Sequence, residues 1–218
     1  MKGTISSLLI VLICSACSKK KNTEQIHNER PENKTIVTDT YDNNQMIKLS
    51  KGDRAPLFEG VDQNGENINL AELLEKGSAV LIFYRGQWCP FCSKHLSELQ
   101  DSLQMILDKG VSVIAVSPEK TENIKKTILK TNATFPILYD EGYKIMNAYG
   151  VAYKETTENV EKYNTYLKAD LENANWDGSN TLPVPATYVI GVDGKIKYVH
   201  FNPDYKDRAS VSEILKQL

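Results

Sequence analysis

Residues 79–92 read Ala-Val-Leu-Ile-Phe-Tyr-Arg-Gly-Gln-Trp-Cys-Pro-Phe-Cys, and this stretch limits what the 218-residue chain can fold into more than any other. Its first six residues are apolar and rich in β-formers with no polar alternation, the pattern of a central strand buried on both faces. The cysteine pair follows at once. Pro90 suits the first position of a helix, where its missing N–H costs nothing, so Cys89 falls at the N-cap. Leu96, Leu99, Leu103 and Ile106 then recur at three- and four-residue steps until Lys109-Gly110, giving one apolar helical face that the glycine ends.

The flanking sequence repeats this strand-helix alternation. Upstream, Asn64-Gly65 signals a hairpin and residues 69–74 suit a short helix. Downstream, residues 111–116 read as a second buried strand, a helix opens at Pro118 and Glu119 and runs to about residue 129, and residues 135–139 resume an extended run before a short helix at 141–149. Such alternation predicts a crossover parallel unit. Residues 151–180 are more polar and read as an insertion with a helix over 157–171. Residues 186–190 and 195–201 flank Val192-Asp193-Gly194 as a hairpin, and 210–218 closes as a helix. The expectation is an α/β domain over residues 48–218, with a central sheet flanked by helices.

The N-terminus has a different character. Lys2 precedes an apolar run over residues 5–14 that is too short to span a membrane, which is the pattern of a signal peptide. Cys14-Ser15-Ala16-Cys17 resembles the lipobox of bacterial lipoproteins, in which small residues precede a cysteine that is lipidated and becomes N-terminal. The family pattern has Leu three residues before that cysteine, whereas Cys14 stands there. The expected organisation is a signal at 1–17 with Cys17 as the lipid anchor, a polar tether at 18–47, and the domain beyond it in the bacterial cell envelope, facing the periplasm or otherwise extracytoplasmic. Ser18 after Cys17 is not the usual inner-membrane retention signal.

Net charge bears on partners. With 26 basic and 28 acidic residues dispersed along the chain, the formal charge is −2, and no basic footprint for nucleic acid is visible.

Of four cysteines, Cys14 leaves with the signal and Cys17 is consumed by lipid, which leaves Cys89 and Cys92. A disulfide across so small a loop restrains little unfolded-chain entropy, so a structural staple is a poor reading and a redox pair a better one. At a helix N-terminus, backbone N–H groups favour thiolate over thiol. Cys89 is the expected nucleophile, with the lower pKa, and Cys92, one turn along and deeper, the resolving residue. Haem attachment requires His after the second cysteine, and Ser93 stands there. A structural zinc site requires about four ligands, and only His95, expected on the exposed helix face, is near in sequence. Arg85 can lower the cysteine pKa or hold a substrate oxygen, or simply be solvated at a strand end. Trp88 is expected as a half-exposed wall beside the sulfur or as ordinary packing.

Residues 83–92, Phe-Tyr-Arg-Gly-Gln-Trp-Cys-Pro-Phe-Cys, together with 181–190, Thr-Leu-Pro-Val-Pro-Ala-Thr-Tyr-Val-Ile, and Asn202-Pro203-Asp204-Tyr205, resemble peroxiredoxin-like proteins of the alkyl hydroperoxide reductase and thiol-specific antioxidant (AhpC/TSA) family. The resemblance implies a thioredoxin-like fold with a central mixed sheet and a helical insertion before the strand that follows Pro185. It makes Pro185 a cis-proline facing the cysteines and Val184 a source of backbone hydrogen bonds for an incoming protein or thiol substrate; Pro183, by contrast, reads simply as a loop-stiffening residue. It also implies a Cys89–Cys92 redox disulfide. The chain departs from the family at the positions seven and three residues before the peroxidatic cysteine, where Ile82 and Gly86 replace the usual Pro and Thr or Ser. No arginine occurs between Arg85 and Arg208, so Arg85 has to stand in for the family's downstream arginine.

The reading is a thiol-dependent oxidoreductase without metal, flavin or nicotinamide, recycled by a thioredoxin-like dithiol donor. Its oxidant is a hydroperoxide or, in the second reading, a protein disulfide. A reading from another class is a tethered copper carrier using the two thiolates and His200.

Overall fold

The computed structural model describes residues 49–218; the expected signal, tether and Cys17 lie outside the described residues. A hairpin opens the domain, with β1 (Glu59–Val61) antiparallel to β2 (Asn67–Asn69). Its turn is held by the Asp62 carboxylate, which accepts from the N–H groups of Asn64 (2.8 Å) and Glu66 (3.0 Å). Asn69 then caps α1 (Leu70–Lys76), its side-chain oxygen accepting from Ala71 N at 2.8 Å.

The expected central strand is β3 (Ala79–Phe83), with every residue buried. After it come α2 (Pro90–Asp101) and α3 (Leu103–Leu107), where the sequence periodicity predicted one continuous helix. The break is at Ser102, whose ψ of 6° leaves helical geometry, although the apolar stripe runs on across it. β4 (Ser112–Ser117) leads to α4 (Thr121–Thr131), which starts later than Pro118 because Glu119 pairs with Asn175 in an isolated bridge. β5 (Ile137–Tyr139), a 3₁₀ turn and α5 (Lys144–Ala148) follow.

The insertion is closed at its base by β6 (Ala152–Lys154) pairing antiparallel with β7 (Thr181–Pro183). Pro183 is therefore a strand residue rather than a loop stiffener. Between them, the single helix expected over 157–171 is two, α6 (Thr157–Leu167) and α7 (Leu171–Ala174), separated by Lys168 and Asp170 at φ 54° and 49°. β8 (Ala186–Ile190) and β9 (Ile196–Phe201) form the expected hairpin, and α8 (Val211–Leu215) closes the chain, entered through a capping box of Ser210 and Glu213.

The main sheet has the order β5-β4-β3-β8-β9. β3 runs parallel to β4, and β4 to β5, while β8 is antiparallel to both β3 and β9, so the sheet is mixed as expected. Alternation along β3 divides the core in two. Val80 and Ile82 face α2, α4 and α8 through Leu96, Leu99, Ile124 and Ile214, and Ala79, Leu81 and Phe83 face α1 and α5 through Leu70, Leu74, Ile145 and Met146. Each such fully buried aliphatic contributes about 1.5–3 kcal/mol. The rigid product is the carboxyl end of β3, fixed by pairing Phe83 with Val116 on one side and Ala186 on the other.

Candidate active site

Beyond Phe83 the chain keeps one ladder bond, Tyr84 N to Val116 O (3.1 Å), and then turns. Cys89 N donates to Gly86 O (3.1 Å), and the N–H groups of Cys92 and Ser93 both donate to Cys89 O (3.1 Å each), starting α2 with Cys89 at the N-cap and Pro90 in the first turn. The turn is clamped from α4 and the loop before it. Glu119 Oε2 accepts from Gln87 N (2.7 Å), and Lys130 Nζ donates to the carbonyl and side-chain oxygens of Gln87 (2.8 and 2.6 Å). Gly86 is required by this packing, since a Cβ there would lie 2.5 Å from Trp88 Nε1 and 2.7 Å from Glu119 Oε1. The room that a Thr or Ser side chain would need is taken by a tryptophan and a carboxyl group.

Cys89 and Cys92 are unbonded thiols, each 1% exposed. Cys89 makes no side-chain cap bond; its thiol hydrogen-bonds Cys92 instead, and that bond, burial and the nearness of Cys92 push its pKa up. Burial alone would raise Cys92 as well, but the bond from Cys89, the charge of Arg208 and the backbone N–H of Arg85 outweigh it and bring Cys92 down to about 6. The direction is therefore the reverse of the sequence expectation for the reduced pair. The charge of Arg85 and the backbone N–H of Cys92, at the helix start, act on Cys89 in the lowering direction but do not offset this.

Arg85 is 1% exposed and not solvated. Its guanidinium carbon lies 4.7 Å from the ring centre of Trp88, 4.5 Å from that of Tyr163 and 4.3 Å from that of Tyr205. Nε and Nη2 are buried and make no hydrogen bond. Burial works against its charge, but Cys89, Tyr163, Tyr153 and Cys92 raise its pKa overall, so it is a fixed cation.

Trp88, expected as a half-exposed wall or as ordinary packing, is packed: it is 5% exposed and stacks on Tyr163 at 5.1 Å. His95, expected on the exposed helix face, is 4% exposed; burial and Arg208 lower its pKa to about 4, and it hydrogen-bonds the backbone of Ala209. The face of α2 that looks free from its own sequence is covered by the segment after β9. Pro185 is buried in the connection that brings Ala186 opposite Phe83, at the edge where the chain leaves β3 for the cysteines. Val184, expected to offer backbone hydrogen bonds, has its N–H engaged with Val151 O at 2.7 Å. His200 lies on β9 with Nε2 4.0 Å from Asp207 Oδ2, and no group of three His, Cys, Asp or Glu side chains suited to a metal ion occurs among the described residues.

Four residues of the site were not assigned to it from sequence: Arg208, whose Nη2 donates to Cys92 Sγ at 3.4 Å, and Glu119, Tyr163 and Tyr205. They lie in three separate segments; the scarcity of arginine, four in the chain, hints at Arg208, and Tyr205 ends the Asn202-Pro203-Asp204-Tyr205 segment that carries part of the resemblance.

A dithiol at the start of a helix, following the central strand of a mixed sheet, defines a thiol oxidoreductase of thioredoxin-like fold. The chain belongs to the AhpC/TSA family, whose model matches residues 51–199. It is 28% identical to peroxiredoxin Q of Oryza sativa over 188 residues, 85% of this chain and 75% of that protein. It is also 31% identical to the thiol-disulfide oxidoreductase ResA of Bacillus anthracis over 116 residues, 53% of this chain and 66% of that protein. Among solved structures, the peroxidoxin BcpB of Mycobacterium tuberculosis superposes with a TM-score of 0.60 at 20% identity, covering 78% of this chain and 96% of that one.

Proposed function

We propose that this enzyme reduces hydroperoxides, with Cys89 as the attacking sulfur and Cys92 as the resolving one. The observation that carries this reading is Arg85. A peroxide cradle needs donors aimed at oxygens whose charge develops as the O–O bond breaks, in a site that excludes water. Arg85 keeps two guanidinium nitrogens without partners beside the cysteines, in a mount of three aromatic rings. It supplies the donors that a Thr or Ser at Gly86 would otherwise share. Attack is assigned to Cys89 because it stands at the N-cap of α2 beside exposed Pro90, while Cys92 lies one turn into the helix.

Reduction of protein disulfides is the second reading, favoured by the Trp-Cys-x-x-Cys sequence and by the likeness to ResA. Two features weigh against it. The Val184 N–H, which would pair with an incoming peptide, is taken by Val151, and Trp88 is covered by Tyr163. A small oxidant fits this site better than a chain.

In this scheme a thioredoxin-like dithiol protein reduces the Cys89–Cys92 disulfide by exchange. The envelope location and the lipid on Cys17 belong to the same proposal and rest on the residues at 1–17.

The test is to mix reduced protein with stoichiometric hydroperoxide. Cys92→Ser should accumulate a sulfenic acid at Cys89, trapped by a dione reagent and located by mass spectrometry. Cys89→Ser should abolish catalytic peroxide consumption. Oxidation no faster than that of a free thiol, combined with efficient reduction of protein disulfides, would overturn the peroxidase reading in favour of the second.

A further inference from the structure

Glu155 lies where β6 gives way to α6, outside the cysteine loop, and its carboxylate collects four donors. Oε1 serves the local chain, accepting from Thr156 N (3.0 Å) and Asn159 Nδ2 (2.9 Å). Oε2 serves two phenols, accepting from Tyr153 OH (2.9 Å) and Tyr163 OH (3.1 Å). The residue is itself fixed at the base of the insertion, where Glu155 N donates to Asn180 O (2.9 Å) just past the β6–β7 ladder. Burial alone would raise its pKa, but the bonds from Asn159, Thr156, Tyr153 and Tyr163 bring it below the usual carboxylate value, so it is an anion near neutral pH.

Both phenols pack against the part of the core that contains Trp88, Cys89 and Cys92. Both also lie close enough to Arg85 to act on its charge. Tyr163 carries its ring 4.5 Å from the guanidinium carbon and hydrogen-bonds the cation. A phenol has a single proton to give, and its oxygen can also accept. A carboxylate cannot donate, so the protons of Tyr153 and Tyr163 both point to Glu155, and the side that a hydroxyl turns to Arg85 carries only lone pairs. Among the described residues Arg85 has no ion pair with a carboxylate. Its Nε and Nη2 are unpartnered, which leaves Nη1 for Tyr163.

We propose that Glu155 is a positioning residue for Arg85: by taking both phenolic protons it turns the hydroxyl oxygens to the guanidinium, which anchors one edge of the cation and keeps Nε and Nη2 free for the oxygens of the peroxide. A carboxylate paired directly with Arg85 would occupy those nitrogens as a fork. Acting through hydroxyls, Glu155 supplies the negative potential that a buried cation needs and leaves its donors open. A residue that only started α6 would use Oε1, and Oε2 would have no reason to meet two rings from opposite ends of the β6–α6 junction. The inference rests on the peroxidase reading for the oxygens that Arg85 holds, and not for the orientation of Arg85 itself.

Two readouts on the full-length chain test this. The first involves no peroxide: the side-chain N–H resonances of the four arginines are recorded by nitrogen-15 NMR, and that of Arg85 is identified by its loss in Arg85→Lys. Glu155→Gln keeps the size of the side chain but cannot accept from all four donors, and it should shift the Arg85 Nε–H resonance and speed its exchange with water. Tyr153→Phe with Tyr163→Phe keeps both rings and leaves Glu155 in place, and it should do the same. An Arg85 resonance unmoved in either variant overturns the inference. The second readout is the rate of Cys89 oxidation by hydroperoxide in stopped flow, set against alkylation by iodoacetamide, which brings no peroxide oxygen. Glu155→Gln should slow oxidation about threefold to tenfold, the scale of one hydrogen bond, and leave alkylation within about twofold. Added to the double phenylalanine variant it should slow oxidation no further, since no hydroxyl remains to be turned. Equal slowing in both backgrounds would reduce Glu155 to a support for α6 and overturn the inference. Wild-type oxidation no faster than that of a free thiol, with the resonance shifts as expected, would remove the peroxidase reading and leave the positioning of Arg85 standing.

Discussion

Glu119 is fully buried, with Oε1 unpartnered and Oε2 bonded to Gln87 N, and burial raises its pKa to about 8. The linkage sign follows from that elevation. A folded-state pKa above the unfolded value means the folded protein favours the protonated acid, so the contribution to stability is full below about pH 4.3 and is lost as pH rises through about 8. Glu119→Gln keeps an oxygen for the Gln87 N–H and removes the charge. It should match wild type in urea unfolding near pH 4.5 and exceed it at pH 8.5 by about 2–5 kcal/mol, an upper range set by 1.36 kcal/mol per pH unit. A wild-type stability that tracks the variant across that range would mean the carboxyl ionises freely. Gly86→Ala tests the same wall sterically. With its Cβ 2.5 Å from Trp88 Nε1, it should cost about 1–3 kcal/mol and slow Cys89 oxidation, as thermal melts and stopped-flow fluorescence would show.

At the level of elements, the insertion contributes Tyr163 of α6, which stacks on Trp88 and lies over Arg85. A buried cation on a ring is worth about 0.5–2 kcal/mol. Tyr163→Leu keeps an apolar filler but loses that ring, and should slow the reaction of Cys89 with hydroperoxide about threefold to tenfold with little change in melting temperature. A large fall in melting temperature with the rate per folded molecule unchanged would make α6 mere packing. The strands and most helices were legible because local pattern decides them: the uninterrupted run of β3, Asn64-Gly65 in the first turn, Pro90 opening α2. Breaks inside helices were not. Ser102 interrupts a stripe whose spacing continues, and Lys168 and Asp170 take left-handed geometry with no glycine to announce it. Exposure was misjudged at His95 for a related reason, since it is covered by a segment that the sequence of its own element does not mention.

Across the whole molecule, the legible part of the site is the part that lies within one short stretch, Arg85 to Cys92, fixed by the end of β3. Glu119, Tyr163, Tyr205 and Arg208 arrive from the β4–α4 loop, the insertion and the segment after β9, and no local spacing relates them to the cysteines. From sequence Arg85 stands in for a missing downstream arginine, and no spacing there offers a reason to place Arg208, whose Nη2 donates to Cys92 Sγ, beside it. Attachment to a membrane is the property most separable from this architecture. No helix among the described residues is long and apolar enough to cross a bilayer, and in the proposed reading attachment runs through lipid on Cys17. One acyl chain holds a protein only marginally and two hold it stably, each buried CH₂ adding about 0.8 kcal/mol. Full-length protein should therefore sediment with membranes and incorporate labelled fatty acid, while Cys17→Ser should appear in the soluble fraction with the peroxide reactivity of Cys89 unchanged. Labelling that persists in Cys17→Ser would place the lipid elsewhere, and absence of label in the parent chain would remove the anchor while leaving the chemistry of the dithiol untouched.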